Sequence, residues 1–93
     1  MSRDRERLRL IYTGRVQGVG FRYTAASIAR RYPVAGYVRN VRDGSVELVV
    51  DGPAESVKAM LDEIATAFRG NIEACRTSEY VDSEELSGFA VRH

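Results

Sequence analysis

"VAGYVRNVRDGSVELVVDGPAE", residues 34–55, decides how the chain folds. Its two halves, 34–41 and 45–51, are rich in β-branched residues that alternate with polar ones, the pattern of half-buried strands. Between them stands Arg42-Asp43-Gly44, and Asp-Gly between such runs signals a tight hairpin. Gly52-Pro53-Ala54-Glu55 then opens a helix, with proline at its first position and glutamate in its first turn. Val57, Met60, Leu61, Ile64 and Phe68 recur at helical spacing and give that helix one apolar face.

Working outward, "RLRLIYT" (7–13) alternates with Leu8, Leu10 and Tyr12 on one side and reads as a strand. From Phe21 the period changes. Ala25, Ile28, Ala29 and Tyr32 share one helical face, and Pro33 ends it. Downstream, "IEACRTSEYV" (72–81) and "GFAVR" (88–92) read as strands. The order is β-α-β-β-α-β with a short extra C-terminal strand. Two helices with one apolar face each need one sheet face to cover. The expected fold is therefore α+β, a ferredoxin-like two-layer sandwich with a mostly antiparallel sheet. That architecture carries enzymes, RNA-binding modules and regulatory domains alike, so function has to come from a site.

At 93 residues the chain is expected to form a single domain, 1–93, with residues 1–6 as a flexible N-terminus. The start, "MSRDRERLRL", is charged and lacks the apolar core of a secretory signal, and no apolar run approaches the ~20 residues of a membrane span. A cytoplasmic protein without a membrane partner is the expectation. No large apolar stretch is left over, so a monomer is expected as well. One cysteine, Cys75, and one histidine, His93, leave no His/Cys metal cluster and no disulfide. Neither a metal nor a cofactor is expected. Net charge is only +1, yet residues 1–42 hold ten arginines against Asp4 and Glu6, while residues 43–93 hold four basic and eleven acidic side chains. Either the basic half faces an anionic ligand, or folding interleaves the halves and the charges mix.

The connection between the first strand and the first helix is "GRVQGVGFR" (14–22), with three glycines, two arginines and no acid. Glycines permit positive φ, so that successive N–H groups at a helix start converge into an anion-binding nest. Gly14, Gly18 and Gly20 are placed for such a nest, and Arg22 in the first helical turn would add a planar fork matched to two phosphate oxygens. Val16 and Val19 are expected to pack back onto the domain. The nucleotide-binding glycine motifs fit poorly: no Lys-hydroxyl ending follows, and Tyr23 stands where a dinucleotide fingerprint has its third glycine. From residues alone the alternative is a flexible connector with solvated arginines. Asn40, close to the Asp-Gly turn, would then be a local cap. Arg39 and Arg42 read as solvated, Tyr12, Phe21, Tyr23 and Tyr37 as packing, Cys75 as inert and His93 as a frayed terminus.

The same residues resemble the acylphosphatase family. "GRVQGVGFR" (14–22) matches its first motif along the whole length. "GYVRNVRDGSVELVVDG" (36–52) matches its second, including the G-aromatic-V-R-N opening, the x-x-D-G turn and the closing glycine. The C-terminal third departs: the family often has a Gly-Pro pair after the second helix, where this chain has "FRGNIEAC" (68–75). The resemblance implies a metal-independent hydrolase that splits the carboxyl–phosphate anhydride of a small acyl phosphate into a carboxylate and inorganic phosphate. It implies Arg22 and Asn40 as catalytic residues, with Arg22 binding phosphate and Asn40 holding the attacking water. The backbone of Arg15, Val16, Gln17, Gly18, Val19 and Gly20 would complete the phosphate-binding loop. Two other functions fit the same plan: a silent anion-sensing domain that keeps the cradle, and an RNA-binding module that stacks bases on sheet aromatics. The second lacks its platform, since "SVELVVD" has no aromatic and "RLRLIYT" only Tyr12, so no nucleic acid is expected.

Overall fold

The computed structural model describes residues 4–93. Five strands and two helices follow in the order β1 (Arg5–Gly14), α1 (Phe21–Ala29), β2 (Ala35–Asn40), β3 (Val46–Pro53), α2 (Ala54–Ala67), β4 (Ile72–Glu79) and β5 (Phe89–Arg92). They form one sheet, β4-β1-β3-β2-β5, antiparallel throughout except for the parallel β2–β5 pair. This is the ferredoxin-like sandwich that the element order implies. No helix among the described residues is long and apolar enough to cross a membrane.

Register explains the core. Leu10 pairs with Leu48 and Leu48 with Val38, while Tyr12 pairs with Val46 and Val46 with Asn40. Residues paired across an antiparallel sheet share a face, so these rows line the same side. Both helices cover that side: Phe21, Ala25, Ile28 and Ala29 from α1, and Val57, Met60 and Ile64 from α2. Phe21 joins the layers, its ring centroid 5.0 Å from Tyr12 and 4.5 Å from Phe68. Asn40 therefore ends a row of core positions, at the edge of the helix layer.

Several sequence expectations shift. Arg5 and Glu6, expected in a flexible terminus, pair with Pro53 and Gly52 at the start of β1; Met1–Arg3 lie outside the described residues. Helix α1 stops at Ala29, and Arg31 and Tyr32 close tighter turns onto Ile28 and Ala29 before Pro33. Pro53 ends β3 and occupies the cap position of α2, so Ala54 is the first helical residue; its N–H donates to the Asp4 carbonyl at 3.0 Å. Leu61 is only half-buried at the margin of the core.

The other sheet face is partly closed by residues 80–88, which run from one edge strand, β4, to the other, β5. Tyr80 N–H donates to the Arg7 carbonyl, Arg7 Nη2 to the Asp82 carbonyl at 3.0 Å, and Gly36 N–H to the Gly88 carbonyl. Under this crossing Tyr37 and Val49 are buried, and Arg92 stacks 3.8 Å from the centre of the Tyr37 ring. Beside them Glu47 accepts from Nε of both Arg9 and Arg39, each at 2.5 Å. Arg39, expected to be solvated, is half-buried in this pairing. Burial alone would raise the Glu47 pKa, but the two arginines outweigh it and hold the carboxyl below its ordinary range. A lowered folded-state pKa stabilises the fold above the unfolded value, about 4.3, and the contribution fades as pH falls through the folded value. Glu47→Gln is therefore expected to cost about 1–2 kcal/mol near pH 7, a figure discounted for the partly exposed arginines. Denaturant titrations from pH 7 to pH 3 should show the gap to wild type closing on the acid side. A gap independent of pH would contradict the assignment.

Candidate active site

The glycine-rich loop leaves β1 at Gly14 and re-enters regular structure at Phe21. Two devices fix its shape. Val16 is fully buried in the core. Gln17 reaches across to the β2–β3 turn, its Nε2 donating to the carbonyls of Val41 at 2.7 Å and Ser45 at 2.8 Å. The loop is thereby tied to the strand end that carries Asn40.

Gly18 and Gly20 have φ of 75° and 79°, and a Cβ at either would meet nothing within 4 Å. Backbone conformation rather than crowding demands glycine here. Gly20 caps α1 in the left-handed conformation with no side-chain acceptor, and the first turn holds no acidic residue. Its N–H groups are thus presented at the positive end of the helix dipole.

These elements enclose a cavity of about 200 Å³ lined by Val16, Gly18, Gly20, Phe21, Arg22, Tyr23 and Asn40. Arg22 is the one charged side chain among them. Its Nη1 donates to the Arg92 carbonyl at 3.2 Å and lies 3.2 Å from His93 Nδ1. It meets a carbonyl and a ring nitrogen, so these contacts leave its positive charge unneutralised. Asn40 Oδ1 is buried and finds no hydrogen-bond partner among the described residues. A buried acceptor without a partner costs roughly 1–3 kcal/mol, and a group bound in the cavity would relieve it. No cluster of metal-ligating side chains occurs among the described residues.

Of the residues singled out in the sequence, the structure brings Arg22, Asn40, Val16, Gly18 and Gly20 together around this cavity. Arg15 is exposed, and its N–H donates to the Asn71 carbonyl at 2.8 Å, away from the cradle. Val19 and Tyr23, expected to pack, are exposed instead. His93, expected to be a frayed terminus, touches Arg22. Sequence reasoning missed the clamp made by the Gln17 side chain. A lone glutamine in a loop carries no local signal of partners 24 and 28 residues away.

The acylphosphatase family profile matches residues 8–91. The acylphosphatase of Thermococcus kodakarensis is 45% identical over 98% of this chain and 98% of its own length. That of Bifidobacterium longum is 51% identical over 68% of this chain and 65% of its own. Among solved structures, the acylphosphatase from Bacillus subtilis superposes with a TM-score of 0.81 at 28% identity, covering 94% of this chain and 98% of that one.

The clamp makes a prediction of its own. Gln17→Met keeps the length of the side chain and removes both donors. Two hydrogen bonds of about 1 kcal/mol each tether the loop, so affinity for inorganic phosphate should fall by up to about 30-fold while the fold persists. Calorimetric titration with phosphate measures it, and unchanged affinity would mean that the loop holds its shape without Gln17.

Proposed function

Because the chain belongs to the acylphosphatase family, we propose that this cavity hydrolyses acyl phosphates, with Arg22 and the loop backbone binding phosphate and Asn40 holding the attacking water. The observation that carries the reading is that Arg22, Asn40 and the two positive-φ glycines line one cavity.

The chemistry asks for little else. Loose phosphoryl transfer needs positioning and charge stabilisation at the equatorial oxygens. Loop and helix N–H groups supply fixed dipoles, and Arg22 supplies charge in a planar fork. The water oxygen bonds to phosphorus while the phosphorus–oxygen bond to the acyl group breaks, and that electron pair leaves on a carboxylate. A carboxylate is a good leaving group, so no general acid is required. Both protons of the water can remain on the product phosphate, so the balance requires no protein base. A site lined by no Asp, Glu, His or Cys suits this reaction. The Asn40 amide can accept from one water through its Oδ1 and so orient it without ionising.

The rival readings gain no support. An anion sensor leaves the buried Asn40 Oδ1 without a purpose. Base stacking would need open sheet aromatics, and Tyr37 is buried under Arg92 and residues 80–88. A cytoplasmic monomer acting on a small molecule, with no nucleic-acid partner, completes the proposal. The free thiol of Cys75 suits a reducing compartment.

Phosphate release from benzoyl phosphate tests the function. Turnover should be the same in excess EDTA as without it, because Arg22 and the amides supply the positive charge. A rate lost to chelator and restored by a divalent ion would contradict the mechanism. Asn40→Ala separates an enzyme from a sensor: the phosphate inhibition constant should stay within a few-fold, while kcat falls by roughly 10²–10³. If Asn40 were only a turn cap, stability would drop by about 1 kcal/mol and turnover per folded molecule would persist.

A further inference from the structure

Three large apolar side chains stand exposed among the described residues: Val19, Tyr23 and Val81. One of them, Tyr23, lines the cavity and is 62% exposed, and a second, Val19, stands in its loop between the lining glycines Gly18 and Gly20. The Tyr23 ring lies 5.9 Å from the Arg22 guanidinium, so an apolar surface stands directly beside the phosphate-binding charge.

The direction of the reaction gives this surface a role. Water and leaving group lie in line on opposite sides of phosphorus. Asn40 Oδ1 is buried, which puts the water against the inner wall of the cavity. The leaving oxygen then faces the mouth, and the acyl group it carries must pass the exposed residues there. We propose that Val19 and Tyr23 form an apolar rim that receives the acyl group, so that the chain prefers aromatic and bulky aliphatic acyl phosphates to acetyl phosphate. This rests on the acylphosphatase reading and adds the class of acyl group to it. The sequence concealed the rim, because an apolar residue in a loop or a first helical turn looks like a packing residue until its exposure is known.

The rim binds a part of the substrate that does not react. Its contribution is shared by ground state and transition state and appears mainly in KM.

The test compares kcat/KM for benzoyl phosphate and acetyl phosphate in wild type, Tyr23→Ala and Tyr23→Phe. Intrinsic reactivity differs between the two substrates but cancels when their ratio is compared across variants. Tyr23→Ala should lower the benzoyl-to-acetyl ratio by roughly 10-fold, mainly through KM, the scale of one lost apolar contact in a specificity site. Tyr23→Phe keeps the ring and should hold the ratio within about twofold, since the apolar face is what binds. A ratio unchanged in Tyr23→Ala would overturn the rim, as would an equal loss on both substrates, which would place Tyr23 in support of the phosphate. A ratio that falls as far in Tyr23→Phe would overturn it too, by assigning the effect to the phenol hydroxyl. Wild-type protein inactive on both substrates would overturn the acylphosphatase reading and the rim with it.

Discussion

A loop that owes its shape to glycines has the most freedom to lose, and it becomes a fixed cradle only when held from outside. Val16 holds this one. Its side chain is fully buried among the strands and α1, at the point where the loop would otherwise be free to move. Burying a valine is worth roughly 1.5 kcal/mol or more, enough to offset ordering of about one residue. The Gln17 clamp onto the β2–β3 turn supplies the remaining tether. The site builds on that double anchorage: Gly18 and Gly20 hold their positive φ, α1 starts at Phe21, and Arg22 and Asn40 line one cavity.

The charge pattern falls into place through the ion pairs. Asp51 takes Arg5 and Arg7, Glu47 takes Arg9 and Arg39, and Glu63 takes Arg31. Each joins the basic first half of the chain to its acidic second half. Five of the ten arginines in residues 1–42 are thus paired internally, in line with the interleaving alternative. Arg22 stands outside these pairs. Its contacts to the Arg92 carbonyl and to His93 orient the guanidinium without neutralising it. That difference supports the proposed binding of an anion.

Local signals carried most of the fold. The Asp-Gly hairpin and the apolar face of α2 needed only residues close in sequence, and both stand as read apart from Pro53 and Leu61. What stayed hidden depends on distant partners. β1 starts at Arg5 because Pro53 and Gly52 pair with its first residues. Arg39 is half-buried because Glu47, eight residues on, turns to the same face. The role proposed for Asn40 was legible only through the motif around it. Its structural mark is a buried oxygen without a partner, which no spacing rule can express. Val19 and Tyr23 were misread for a related reason: apolar character says that a side chain avoids water, not which surface removes it.

The most direct test of the cradle is an amide nitrogen–proton NMR titration of the folded chain with inorganic phosphate. The account predicts that the largest shifts fall on the N–H groups of residues 16–20 and on the first turn of α1. Shifts in the side-chain amide of Asn40 and at Arg22 Nε should saturate at the same concentration. Shifts concentrated instead on the arginines of the opposite sheet face, Arg9, Arg39 and Arg76, with the loop unperturbed, would contradict it.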